Sequence, residues 1–139
     1  MASALMFFYG SLLMGPADTG VKQALAACRH VGGAWIQGRL YDLGPYPGAV
    51  ASPRHSDRVR GELYQLRDTG RSLRLLDRFE DYHRGQPATS LYLRRRTTAW
   101  LDGEGRALPC WTYFYNRPVG TRRRIPDGDY RRYLEHRRR

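Results

Sequence analysis

The chain is poor in lysine, in acidic residues and in cysteine, and each shortage narrows the possible function. Lys22 is the only lysine among 24 basic residues, and 13 acidic residues leave a net charge of +11. This arginine excess is typical of a protein that meets a polyanion, or of a solvated basic surface without any partner. The two cysteines, Cys28 and Cys110, form neither a CxxC pair nor a disulfide framework, so we expect a reducing cytoplasm.

Long apolar segments and common catalytic spacings are also missing. The apolar run over 5–9 is too short to span a bilayer, and no basic residue precedes it as in a signal peptide. We therefore expect a core strand there and no membrane association. The four histidines lack metal-ligand spacing, and Ser11 lacks the G-x-S-x-G context of a nucleophile elbow. The sequence thus predicts no metal site.

The remaining composition and periodicity predict a single α+β domain. A chain of 139 residues with 41% hydrophobic residues is long enough to bury a core. Apolar runs and alternating patterns predict about five strands, over 5–9, 34–43, 58–66, 91–100 and 108–115. Helices are predicted over 70–82, in a short basic C-terminal segment, and from Asp18 or Thr19 to about Cys28, ended by Gly32-Gly33.

Glycine and proline positions indicate how the strands are shaped and joined. Gly38 and Gly61 lie inside predicted strands, where a glycine marks a bulge or a close backbone approach. Two such strands in a small domain predict a strongly bent or closed sheet. Asp102-Gly103 predicts a hairpin between the last two strands, and the proline-rich stretch 44–48 predicts a turn.

The first strand ends at Gly10-Ser11, the first candidate for a binding site. Glycine permits a tight backbone at this point, so that amide N–H groups can converge on an anion. The alternative is a core strand that ends in a purely structural turn.

Glu80 is the candidate for acid/base chemistry. At about 100° per residue it falls between two leucines on the apolar stripe of its predicted helix, whereas Asp77 and Asp81 fall toward solvent. Burial raises the pKa of a carboxyl group, which suits a general acid/base near neutral pH. The alternative is that Glu80 turns outward and pairs with Arg84.

Six short segments, taken in order, resemble the gamma-glutamylcyclotransferase-like superfamily. The first is Tyr9-Gly10-Ser11-Leu12, which looks like the Y-G-[ST]-L signature of that superfamily. The others are LYDLGPYP at 40–47, VRGELY at 59–64, LLDRFE at 75–80, YLR at 92–94 and WTYFYN at 111–116. No single segment is specific, but together they cover about residues 5–116 in the right order.

The resemblance implies a fold and a division of the chain. The fold is a small mixed-strand β-barrel with flanking short helices and a cavity at the Tyr-Gly-Ser-Leu turn. The family domain takes up residues 1–120, followed by a helical basic extension over 121–139. One departure is Leu13-Met14, where relatives often carry polar or basic residues.

The resemblance also implies a reaction without a metal or organic cofactor. A small γ-glutamyl compound closes to 5-oxoproline and expels a free amine or amino acid, with Glu80 as general acid/base. Backbone amides of the turn hold the α-carboxylate of the substrate, and tyrosines line the pocket. The implied substrate-binding residues are Tyr9, Gly10, Ser11, Leu12, Tyr92, Tyr113 and Tyr115.

Two other readings of the same fold remain open. Residues 117–139 carry nine arginines against three carboxylates, which is more than half of the net charge. A non-catalytic module that binds nucleic acid or another polyanion through this end is the first alternative. A pocket that holds a γ-glutamyl or other amino-acid ligand without turnover is the second.

Overall fold

The computed structural model describes residues 4–10, 26, 28–67, 69–80, 82 and 85–137. The seven strands of this part are β1 (Leu5–Phe8), β2 (Arg29–Asp42), β3 (Pro47–Ala51), β4 (Arg58–Gln65), β5 (Tyr92–Leu101), β6 (Ala107–Tyr115) and β7 (Arg123–Ile125). Its α-helices are α1 (Thr69–Phe79) and α2 (Tyr130–Arg137), and Pro87–Thr89 forms a 3₁₀ turn. No helix in these ranges is long and apolar enough to cross a membrane.

Five of the strands close into a barrel. Their order is β2-β4-β1-β6-β5, and β5 returns to β2 through pairs such as Trp35 with Trp100. β1 and β6 run parallel, whereas the other neighbours are antiparallel, so the barrel is mixed. The remaining strands, β3 and β7, both pair with the end of the 14-residue strand β2. The predicted fold class, a small mixed-strand β-barrel with short helices, is confirmed.

The first strand is buried on both of its faces, as its unbroken apolar run predicts. Phe7 packs inside the barrel with residues such as Ile36. Met6 and Phe8 point to the other face, where they pack with Leu76 of α1. Helix α1 thus covers the outer wall of the barrel at β1, because an amphipathic helix buries its apolar stripe against a sheet.

Two glycines let the barrel backbones approach closely. A Cβ atom at Gly61 of β4 would lie 2.1 Å from the carbonyl oxygen of Phe8, and one at Gly38 would lie 2.8 Å from that of Val50. Both distances are shorter than a side chain tolerates. The predicted close approach at these glycines is confirmed, and it brings β4 against β1 and β2 against β3.

The turn chemistry is partly as predicted. The β5–β6 hairpin is present, and Gly103 and Gly105 adopt positive φ of 79° and 65°. Gly32-Gly33 was expected to end a helix, which is wrong, because β2 already begins at Arg29. The two glycines instead accompany a register shift between His30 and Gly32, typical of a β-bulge. The helix predicted from Asp18 or Thr19 falls almost wholly outside the described residues.

The two short strands were not predicted. β3 begins inside the proline-rich stretch that was read only as a turn, and its first residue, Pro47, lacks an N–H. Because β3 pairs with β2 alone among the described strands, a proline is tolerated at this edge. β7 has only three residues, two of them arginines, and its sequence lacks any strand periodicity.

The C-terminal segment packs against the end of β2. Ile125 and Tyr130 are buried in the core. The hydroxyl of Tyr133 donates to Asp42 at 2.5 Å, and Arg137 donates to the same carboxylate at 3.1 Å. The predicted division at residue 120 falls between β6 and β7.

The close contact at Gly61 makes a direct test of barrel closure. We expect Gly61→Ala to lower the free energy of unfolding by about 1–3 kcal/mol, because its methyl group would force β4 away from the Phe8 carbonyl. Urea denaturation of the purified proteins measures this difference. Gly85→Ala is the matched control, since a Cβ atom there meets no atom of the described residues within 4 Å. Equal stability of both variants would contradict the close approach.

Candidate active site

Glu80 lies at the C-terminal end of α1, on the side that faces the barrel. Its N–H donates to the carbonyl of Leu76 at 2.9 Å, so helical hydrogen bonding continues one residue past Phe79. The residue is only partly exposed, and burial raises the pKa of the Glu80 carboxyl from 4.5 to about 8. The carboxyl is therefore withdrawn from bulk water yet still reachable. Arg84, its alternative partner, lies outside the described residues.

Three tyrosines lie close enough to this carboxyl to feel its charge. Burial raises the pKa of Tyr9, Tyr92 and Tyr113 well above the ordinary value of 10.0. The negative charge of Glu80 also raises the pKa of each of these three tyrosines. A charge affects a neighbour in this way only at short range, so the structure brings three of the predicted binding residues together with Glu80.

Each tyrosine hydroxyl donates its proton to a fixed acceptor of the protein. Tyr9 donates to the Tyr113 carbonyl at 2.5 Å, and Tyr92 donates to the Pro47 carbonyl at 2.7 Å. The Tyr9 oxygen also accepts from the N–H of Ala49 at 3.2 Å. Since Pro47 and Ala49 belong to β3, the strand that the sequence failed to indicate holds two of the site tyrosines.

The third hydroxyl, that of Tyr113, donates to the Asp77 carboxylate at 2.5 Å. Arg94 binds the same carboxylate through Nε at 2.8 Å and through Nη2 at 3.3 Å. The Asp77 side chain is 13% exposed and that of Arg94 is 8% exposed. The expectation that Asp77 faces solvent is therefore wrong, because the charged partner on β5 allows its carboxylate to be buried.

Two further predicted residues border the same region. A Cβ atom at Gly10 would lie 2.8 Å from Cγ of Pro47, so the turn after β1 packs tightly against β3. The Tyr115 ring lies 5.7 Å from that of Tyr92. Ser11 and Leu12 lie outside the described residues, and the amide cradle proposed for them stays a prediction.

Other candidate groups take structural positions. Burial raises the pKa of Cys110 to about 12, which leaves a thiol of low reactivity in the core. His30 lies 3.4 Å from Glu62, and His55 packs edge-on against Trp35. Across the described ranges, no group of three or more possible metal ligands comes together.

The pKa of Glu80 predicts how stability depends on pH. The unfolded chain releases this proton near pH 4.5, whereas the folded protein holds it up to about pH 8. Because the folded state binds the extra proton between these values, this carboxyl makes the free energy of unfolding fall as pH rises. We expect Glu80→Gln to remove that fall, so the variant gains stability relative to the wild type across this range.

Urea denaturation at a series of pH values measures the difference between the two proteins. Glu104→Gln is the control, because Glu104 lies exposed in the β5–β6 hairpin. A difference between wild type and Glu80→Gln that stays flat from pH 4.5 to 8 would contradict the raised pKa.

Comparison with known proteins is consistent with this geometry. The family model described as "Gamma-glutamyl cyclotransferase, AIG2-like" matches residues 6–132. None of the curated proteins matches this chain in sequence.

Among the solved structures with the same fold are two bacterial proteins and one mammalian protein. The chain is 21% identical to YkqA from Bacillus subtilis, with a TM-score of 0.70 over 98% of this chain, and spans 42% of YkqA. It is 23% identical to an AIG2-like protein from Mus musculus, with a TM-score of 0.64 over 85% of this chain and 82% of that one. It is 28% identical to YtfP from Escherichia coli, with a TM-score of 0.60 over 91% and 95% of the two chains.

These structural likenesses support the fold, whereas the family match spans nearly the whole sequence and includes Glu80 and the three tyrosines around it. The chain belongs to the gamma-glutamyl cyclotransferase, AIG2-like family.

Proposed function

We propose that this protein is a cytoplasmic γ-glutamyl cyclotransferase-type enzyme. It releases 5-oxoproline and a free amine or amino acid from a γ-glutamyl compound, with Glu80 as general acid/base. The observation that supports the proposal most is the Glu80 carboxyl, whose pKa burial raises to about 8 beside three buried tyrosines. A pKa near the working pH suits a group that both takes and returns a proton.

The proposed reaction is an intramolecular acyl transfer. Ionised Glu80 takes a proton from the α-ammonium group, and the resulting amine attacks the γ-carbonyl carbon of the same molecule. A C–N bond forms, protonated Glu80 gives its proton to the departing nitrogen, and the bond to that nitrogen breaks. The second surplus proton of the attacking nitrogen passes to the released amine, which leaves as an ammonium ion, and Glu80 is ionised again. Water is neither consumed nor produced, and the step needs no metal or organic cofactor.

Binding of the substrate supplies the ionised form of Glu80. Before a substrate binds, the raised pKa keeps most of this carboxyl protonated at pH 7. The positive α-ammonium favours the carboxylate and lowers its pKa, because an opposite charge stabilises the ionised form. Binding of the substrate thus produces the ionised Glu80 carboxylate, which then takes the proton from the α-ammonium group.

The turn after β1 orients the substrate in this proposal. Amide N–H groups of Gly10, Ser11 and Leu12 hold the α-carboxylate, so that the amine and the γ-carbonyl stay within reach of each other. Holding the two reacting groups in place lowers the entropic part of the barrier. The packing of Gly10 against Pro47 gives the start of this turn a rigid support.

The polyanion-binding alternative has less support. Arg124 lies 2.8 Å from Asp57, Arg137 lies 3.1 Å from Asp42, and Arg132 lies 3.8 Å from Asp127. Carboxylates of the same chain therefore neutralise part of the basic C-terminal segment. Nucleic-acid binding stays a prediction.

Removal of the carboxyl tests the proposed reaction. We expect Glu80→Gln to lower the rate of 5-oxoproline release by about 10²- to 10⁴-fold, because an amide neither takes nor returns the proton. Chromatography of the products from a panel of γ-glutamyl amines and amino acids measures the rate. Glu104→Gln, which changes an exposed carboxyl in the hairpin, should leave the rate unchanged. Unaltered turnover in Glu80→Gln would disprove the role of this carboxyl.

A further inference from the structure

The phenol protons of Tyr9, Tyr92 and Tyr113 point at protein atoms. A phenol carries one proton and accepts through its oxygen, so a hydroxyl that already donates has only acceptor capacity left. Tyr9, Tyr92 and Tyr113 each donate to a fixed acceptor. The region around Glu80 therefore presents oxygen lone pairs, which suit a ligand group that donates hydrogen bonds.

Tyr113 differs from the other two tyrosines in the acceptor that it uses. Tyr9 and Tyr92 donate to backbone carbonyls, whereas Tyr113 donates to the Asp77 carboxylate. A carboxylate, like a backbone carbonyl, only accepts hydrogen bonds, but it belongs to a side chain that a substitution can change to a group that also donates. Asp77 lies three residues before Glu80, and both lie on one side of α1 because helix positions i and i+3 are neighbours.

Arg94 in turn fixes Asp77. Its guanidinium binds the carboxylate at 2.8 and 3.3 Å, and it lies over the Trp111 ring at 4.7 Å and the Tyr82 ring at 5.7 Å. Arginine keeps its positive charge at every relevant pH and has no acceptor atoms. Arg94 and Tyr113 therefore both donate to Asp77, and the Tyr113 oxygen is left with acceptor capacity only.

We propose that Asp77 and Arg94 are positioning residues, which turn the Tyr113 hydroxyl so that its oxygen accepts a hydrogen bond from the substrate α-ammonium. This inference rests on the proposed function for the identity of the substrate. An ammonium group has three N–H donors, so it needs acceptors in addition to Glu80. An N–H held by Tyr113 also keeps the nitrogen aimed at the γ-carbonyl after Glu80 has taken the proton.

The inference predicts that the site distinguishes ligands by their α-amine. A γ-glutamyl amide carries this group, and the corresponding glutaryl amide lacks it but is otherwise the same. The test measures the affinity of both compounds by calorimetry in a Glu80→Gln background, which stops turnover and removes the carboxylate's own attraction for the ammonium. The ratio of the two affinities then reports the neutral acceptors, Tyr113 among them.

In this background we expect Asp77→Asn to lower the preference for the γ-glutamyl amide by about tenfold or more, the range for a hydrogen bond to a charged group. An asparagine amide can donate to the Tyr113 oxygen, which turns the phenol proton toward the ligand. Tyr113→Phe should lower the preference as well. Adding Asp77→Asn to Tyr113→Phe should then have no further effect, because Asp77 acts through the hydroxyl. Affinity for the glutaryl amide should stay the same in all variants.

Arg95→Gln is the matched control for Arg94→Gln, since Arg95 is the exposed neighbour on β5. Only the change at Arg94 should lower the preference.

If Asp77→Asn lowers both affinities equally, or acts additively with Tyr113→Phe, the positioning role is wrong even where the wild type releases 5-oxoproline. If the preference depends on Asp77 and Tyr113 but the wild type releases no 5-oxoproline, the inference holds and the cyclisation fails. Absence of any preference for the amine overturns the inference outright.

Discussion

The withdrawal of the Glu80 carboxyl from water is the constraint on which the rest of the site depends. In the proposed reaction this carboxyl exchanges protons near neutral pH, and burial suits it to that role by raising its pKa to about 8. Burial disfavours the ionised form of this carboxyl, which is the cause of its raised pKa. The end of α1 carries the carboxyl, and the three tyrosines whose pKa its charge raises lie near it on the barrel.

The barrel gives these groups a rigid support. Tyr9 follows β1, Tyr92 begins β5 and Tyr113 lies near the end of β6, so the tyrosines come from three strands of one closed sheet. Their hydroxyl protons bond to β3, to β6 and to Asp77 of α1. These bonds join the helix, the barrel and the edge strand at one place.

Periodicity predicts on which face of a helix or strand a residue lies. Its predictions hold where this face alone determines whether the side chain is buried. It indicated the strand at Leu5–Phe8 and the inward position of Glu80. It failed at Asp77, because the partner that permits burial, Arg94, lies on another element and no local pattern reveals it. It failed again at β3, where a five-residue edge strand that begins with Pro47 looks like part of a turn. The acceptors of the tyrosine protons lie mostly in these parts, so the hydrogen-bond directions in the site required the structure.

The most direct measurement of the proposed chemistry follows oxygen atoms. The reaction is run with a γ-glutamyl compound in water enriched in ¹⁸O, and mass spectrometry measures the ¹⁸O content of the products. An intramolecular attack by the α-amine predicts unlabelled 5-oxoproline and an equal amount of released amine. Glutamate that carries ¹⁸O would show attack by water instead, and this result would contradict the account.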